Sequence, residues 1–153
     1  MAVKDNNVKI RLMDEADVDA IVEIDKAISG MERAFTYEYL FDGLIGGEIA
    51  CSFIAEVDEK VVGFLLAAIS YVPEVVTEVC MIQILGVHPG YRRRGIAKKL
   101  VDALVNDCDS KGIRTIRVMI DQYDTQLQGL FETLEFQRGN VINYFLALPQ
   151  NKR

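Results

Sequence analysis

The stretch Gly86-Val87-His88-Pro89-Gly90-Tyr91-Arg92-Arg93-Arg94-Gly95-Ile96-Ala97-Lys98-Lys99-Leu100 decides how this chain is read. A mostly apolar run over residues 81–87 ends in a Pro89-Gly90 turn. Arg92, Arg93, Arg94 and Gly95 follow, and a helical pattern then begins at once with Ile96, Leu100, Val101, Leu104 and Val105. The order is strand, cationic glycine-bearing loop, helix. A helix start carries unpaired N–H groups and the positive end of the helix dipole, and here three guanidinium groups join them. That combination implies a site for a phosphorylated ligand. The other reading is a solvated cationic helix start, although three arginines there oppose the helix dipole.

The chain has 153 residues, enough for a single domain, 1–153, with a two-layer core. Its hydrophobic share of 50% excludes a disordered chain. The longest apolar run, residues 61–69, is strand-sized and far short of a membrane span. Residues 1–5 lack the apolar core of a signal peptide, so no membrane association is expected. Cys51, Cys80 and Cys108 lie far apart in the sequence, in apolar surroundings and without metal-ligand spacing. They read as buried reduced thiols, which implies no metal and a cytoplasmic location. A net charge of −6 argues against nucleic acid as a partner and suits a cationic one, such as an amine.

Around the central stretch, residues 8–12 alternate as a strand. Asp14 or Asp17 can cap the helix that follows, with Val18, Ile21, Val22, Ile24 and Ile28 as its stripe and Gly30 as its stop. A weaker helix is expected over 35–45. Residues 49–57 and 61–71 form a hairpin across Asp58-Glu59-Lys60, and 78–87 is the next strand. The strongest helix spans 94–111 and is closed by Gly112. A strand over 115–120, a helix over 125–134 and a last hairpin of 136–138 with 141–148 complete the chain. The element order is βααβββαβαββ. It predicts an α/β (α+β) fold: a mixed, mostly antiparallel sheet of about seven strands with helices on both faces.

Arg92-Arg93-Arg94-Gly95-Ile96-Ala97 resembles the Arg/Gln-x-x-Gly-x-Gly/Ala signature of the GNAT superfamily of N-acetyltransferases. The preceding Val87-x-Pro89, the element order and the late segment Leu130-Phe131-Glu132-Thr133-Leu134-Glu135-Phe136 extend the likeness over nearly the whole chain. The form of the loop is most similar to the branch that includes ribosomal-protein-alanine acetyltransferases. The resemblance implies a GNAT-like fold and acetyl-CoA as cosubstrate. It assigns the pyrophosphate to the N–H groups of Arg93 to Lys98, with Arg92 and Ile96 in the same loop. Gly95 allows close backbone approach, and Ala97 keeps the helix near the phosphates. The pantetheine arm would pair with the main chain of Leu85, Gly86 and Val87, as an added strand does.

Acetyl transfer to an amine needs a base for the ammonium and a proton for the departing thiolate. Phe131 stands where many members carry the acid tyrosine. It can pack against the arm but cannot donate a proton. Tyr123 and Tyr144 are the candidate acids, each with a structural role as the alternative. For the base, counting by twos from Val87 puts Leu85, Gln83, Met81 and Val79 on one face. Glu78 falls on the other unless a bulge shifts the register. Gln83 could hold a water, and Glu74 is a further candidate. His88 has a suitable intrinsic pKa, but the resemblance turns that position away from the chemistry. Asp124 stands where a cofactor-contacting Asn is common, or else caps the next helix. Glu135 replaces the usual Gly, so that turn is expected to be rebuilt. Met31, Glu32, Phe35, Tyr37, Glu38 and Tyr39 could wall the acceptor, or form an ordinary helix with solvated glutamates.

Two functions from different classes follow. One is acetyl-CoA-dependent N-acetylation of a primary amine on a small molecule or protein, with a homodimer allowed. The other is a non-catalytic acyl-CoA-binding sensor or interaction module. An anion- or nucleic-acid-contacting module built on Arg92 to Arg94 is a third, opposed by the acidic balance.

Overall fold

The computed structural model describes residues 7–30, 51–72 and 77–150. The expected helix over 35–45, the candidate acceptor wall from Met31 to Tyr39, and Glu74 lie outside them. The chain packs as two units, Met1–Met119 and Ile120–Arg153.

The first unit holds a five-stranded sheet in the order β1-β2-β3-β4-β5. The strands are β1 (Val8–Leu12), β2 (Phe53–Val57), β3 (Lys60–Val72), β4 (Thr77–Val87) and β5 (Ile116–Val118). Neighbours pair antiparallel through β4, and β5 runs parallel to β4. Parallel neighbours need a crossover, which helix α2 (Ile96–Ser110) supplies. The β2–β3 turn places Asp58 at φ 50° and Glu59 at φ 65°, the double positive-φ geometry of a tight hairpin, without glycine.

Helix α1 (Val18–Ser29) is entered through a short 3-10 turn, Glu15–Asp17. Asp14 caps that turn in a capping box with Asp17. The buried Asp17 carboxylate also takes two bonds from Arg11, at 2.6 and 2.8 Å, which tie β1 to the helix entry. Gly30 at φ 74° ends α1, as its sequence position indicates. Met13, Ile21, Ile24, Ile54, Phe64 and Leu66 form one buried cluster between α1 and the sheet.

Helix α2 lies against the opposite face. A Cβ on Gly63 would meet Ile96 Cγ2 at 3.1 Å and Leu100 Cδ1 at 3.4 Å, while the adjacent Phe64 points into the α1 cluster. The buried stripe of α2 is Ile96, Leu100, Val101, Leu104 and Cys108; Val105, expected in it, is exposed. The three cysteines, distant in sequence, are buried and free. Cys51 and Cys80 bring their sulfurs to 3.3 Å. Hydrogen bonding to Cys108 and Cys51, reinforced by burial, pushes the Cys80 thiol well above the ordinary thiol range.

The second unit contains α3 (Thr125–Thr133). Its C-terminus closes with Glu135 N–H to Glu132 O and Phe136 N–H to Phe131 O, both at 3.0 Å, the two bonds of a Schellman motif. Phe131 and Phe136, the residues that make the accompanying apolar contact, meet edge to face at 5.1 Å. The turn is therefore kept, not rebuilt: Glu135 adopts φ 71° in place of glycine. The expected hairpin of 136–138 with 141–148 is absent among the described residues, and Val141, Ile142, Tyr144, Phe145, Leu146 and Leu148 stay exposed. Among the described residues the sheet has five strands, where about seven were expected. The described helices are three, and none is long and apolar enough to cross a membrane.

Candidate functional site

β4 carries the central irregularity. Leu66 pairs with Ile84, but Ala67 pairs with Ile82, so Gln83 is an extra residue opposite β3. This bulge resets the faces. Glu78, Cys80 and Ile82 now share the face of Leu85 and Val87, the face that α2 covers. Val79 and Met81, expected beside Leu85, fall on the face of Ile84 and Gly86. Gln83 and Glu78 are both exposed. Gln83 is four residues from Val87, about 13 Å along a strand, and Glu78 is nine, about 30 Å.

A bulge also bends a strand and interrupts its ladder. β5 pairs with β4 only at Cys80, Met81 and Ile82. Among the described strands, none pairs with β4 from Gln83 to Val87 on the side away from β3. The main chain of Leu85, Gly86 and Val87 thus lies on an open strand edge that can accept an extended amide-bearing ligand. Gly86 is required by packing: a Cβ there would sit 2.7 Å from Phe64 Cε1.

The loop after β4 is held by backbone bonds. His88 N–H donates to Val62 O at 2.8 Å, and Tyr91 N–H donates to His88 O at 2.8 Å. His88 Nδ1 accepts from Gly90 N–H at 3.0 Å, so His88 caps the 3-10 turn Pro89–Tyr91. Arg92, Arg93 and Arg94 are exposed. Arg93 adopts φ 66° and Gly95 φ 74°. Left-handed geometry at an arginine costs on the order of 1 kcal/mol, so this loop holds backbone strain.

Gly95 is the N-cap residue of α2 and has no side chain to bond the first-turn N–H groups. A Cβ built on it meets nothing within 4 Å, so the space over the helix start is open. Open space, first-turn N–H groups and three arginines fit a phosphate ester. Ile96 is buried beneath and anchors the turn; Ala97 is half-buried. Lys98 Nζ bonds Asp102 at 2.8 Å in an exposed pair of small energetic weight.

Tyr123, Asp124, Phe131 and Tyr144 belong to the second unit. Asp124 accepts from Leu127 N–H at 3.0 Å and caps α3. Phe131 is buried and engaged with Phe136, whereas Tyr123 and Tyr144 are exposed. The sequence reading missed Tyr91 and Lys60. Arg94 Cζ lies 4.9 Å and Lys60 Nζ 6.0 Å from the Tyr91 ring centroid. The available signal was an aromatic residue beside an arginine run.

The profile of the acetyltransferase (GNAT) family matches residues 18–136, and the chain belongs to that family. It is 30% identical over 69 residues to a [ribosomal protein bS18]-alanine N-acetyltransferase of Haemophilus ducreyi, covering 45% of this chain and 48% of that one. An acetyltransferase of Pectobacterium atrosepticum is 31% identical over 68 residues, covering 44% and 48%. The chain spans about half the length of the curated relatives it matches. Among solved structures, the aminoglycoside acetyltransferase AAC(6')-Iy, in complex with the bisubstrate analog CoA-S-monomethyl-acetylneamine, superposes with a TM-score of 0.76 at 24% identity. That match covers 92% of this chain and 99% of the other. A ribosomal-protein-alanine N-acetyltransferase of Brucella melitensis biovar Abortus 2308 gives 0.73 at 19% identity, covering 93% and 99%. At these identities the structural likeness shows the shared fold.

Proposed function

We propose that this chain transfers the acetyl group of acetyl-CoA to a primary amine by direct attack on the thioester. One observation carries the reading: an uncapped, glycine-started helix lies directly downstream of a strand edge that the bulge at Gln83 leaves open. The helix start and the N–H groups of Arg93 to Lys98 bind the pyrophosphate, with Arg92, Arg93 and Arg94 supplying charge. The main chain of Leu85, Gly86 and Val87 pairs with the amides of the pantetheine arm. Acetyl-CoA supplies the activated acyl group.

In the transfer the ammonium first gives a proton to a base and the free amine attacks; a C–N bond forms, the C–S bond breaks, and the nitrogen loses a second proton while the thiolate takes one, which gives the amide, the free thiol of CoA and one proton released. Gln83 lies about 13 Å along β4 from Val87, within the span of an extended arm, and is placed to hold a water. Glu78 now shares the face of Leu85 and is the candidate carboxylate base, five residues, about 17 Å, further along β4 than Gln83. Tyr123 and Tyr144 are the candidate donors to sulfur, and Asp124 and Phe131 are candidate contacts for the cosubstrate. Three free buried thiols suit a reducing compartment, and we assign the protein to the cytoplasm.

The test is release of free thiol from acetyl-CoA in the presence of pooled amines, aminoglycosides and alanine-starting peptides. Release above protein-free hydrolysis supports transfer. Release equal to that control across the library, with acetyl-CoA still bound, leaves an acyl-CoA-binding module. Phe131 favours that second reading, because a buried phenylalanine stands where the resemblance expects a proton-donating tyrosine.

A further inference from the structure

We propose that Cys51 and Cys80 are a peroxide-responsive pair whose disulfide latches the chain ahead of β2 to β4. Acetyl transfer uses neither thiol. β3 lies between β2 and β4 in the sheet, yet the two sulfurs are 3.3 Å apart and both side chains are buried. A disulfide needs a further approach of about 1.2 Å.

Local structure sets up this meeting. The Ser52 hydroxyl donates to Ala67 O at 3.2 Å and accepts from Ala67 N–H at 3.1 Å. Ser52 O accepts from Met13 N–H at 3.0 Å. These bonds pin the main chain beside Cys51 to β3 and to the residue after β1. On β3, Ala67 pairs with Ile82 and Ile69 with Cys80, so Ala67 and Cys80 share a face. Ala67 presents only a methyl group there, which leaves room for two sulfurs above β3.

The oxidant is a hydroperoxide, and the chemistry balances without another reactant. The Cys51 sulfur attacks one peroxide oxygen; an S–O bond forms, the O–O bond breaks and water leaves. The Cys80 sulfur then attacks the Cys51 sulfur; the S–S bond forms, the S–O bond breaks, and hydroxide leaves as water with the Cys80 proton. Two thiols and one hydrogen peroxide give one disulfide and two waters. Cys80 reacts second because hydrogen bonds to Cys108 and Cys51, with burial, push its thiol up and hold its proton. Cys108 keeps its thiol. The bond closes a loop over 29 sequence positions, which restricts the unfolded chain and stabilises the latched form.

The experiment treats the folded full chain with hydrogen peroxide, then unfolds it in an alkylating reagent and counts thiols by mass. Untreated protein should show three alkylated cysteines. Treated protein should show one, at Cys108, with Cys51 and Cys80 in one cross-linked peptide pair and two hydrogens lost. Dithiothreitol should restore all three. The urea midpoint of the treated protein should rise by about 1 M and return on reduction. Cys108→Ala should still form the bond, and Cys51→Ala should lose both the bond and the midpoint shift. Three alkylated cysteines after treatment overturn the proposal. So does a bond that includes Cys108, a bond between two chains, addition of oxygen in place of hydrogen loss, or an unchanged midpoint in the treated protein.

Discussion

Helix α3 begins with a carboxylate: Asp124 accepts from Leu127 N–H at 3.0 Å. Helix α2 begins with Gly95, which offers no side chain and leaves open space above the first turn. Helix α1 has no side-chain cap bond either, but it continues directly from the 3-10 turn that Asp14 and Asp17 close with a capping box, and its N-cap residue is a carboxylate. Among the described helices, α1 and α3 thus start at an aspartate and only α2, the longest of them, starts at a residue with no side chain and no negative charge, which leaves its positive dipole end open to an anion. The helix ends teach the converse. α2 and α3 both close in Schellman motifs, one with Gly112 at φ 75° and one with Glu135 at φ 71°. The same backbone is reached once with a permissive residue and once against residue preference.

The largest expected effect breaks the entry to α1. Arg11→Met leaves the buried Asp17 carboxylate without its two guanidinium bonds and should cost about 2–4 kcal/mol in urea unfolding. The pH dependence follows from the same pair. Arg11 hydrogen bonding, helped by the Asp14 N–H, holds the Asp17 carboxyl below its ordinary value. The folded form therefore stays ionised where the unfolded chain takes up a proton. That stability is fully present above about pH 4 and is lost as the pH falls through the lowered folded value. Melting temperature followed from pH 6 to pH 3 should drop less steeply in Arg11→Met than in the unaltered protein.

Smaller effects sharpen the comparison. Asp124→Ala should cost about 1 kcal/mol by removing the α3 cap. The two Schellman ends should respond with opposite signs. Glu135→Gly should stabilise by about 0.5–1 kcal/mol and Gly112→Ala should destabilise by a similar amount. If both changes destabilise, the left-handed strain assigned to Glu135 is absent.

The region from β4 to the end of α2 was legible in the sequence because every local signal there agrees. Apolar strand, Pro-Gly turn, glycine at a left-handed position and an amphipathic stripe all specify one strand–loop–helix unit. The bulge at Gln83 left no such trace. Nothing local separates a bulged residue from a paired one, and its effect, moving Glu78 to the face of Leu85, is set by pairing with β3. Glu135 was misread for a related reason. Its own preference opposes φ 71°, but the two backbone bonds and the Phe131–Phe136 contact outweigh it. The run 141–148 reads as a strand by composition, yet a strand exists only with a partner, and no pairing is formed there among the described residues. The cation contacts on Tyr91 join residues more than thirty positions apart, beyond what motif reading reaches.

The central claim is that the bare start of α2 receives the phosphates of acetyl-CoA, and titration of acetyl-CoA into the unaltered protein and Gly95→Asp tests it most directly. The substitution puts a Cβ on a φ 74° residue and a carboxylate in the open space over the helix start. Binding should fall by about a hundredfold or more, roughly 2.7 kcal/mol, while circular dichroism stays unchanged. Unaltered affinity in Gly95→Asp would contradict the account.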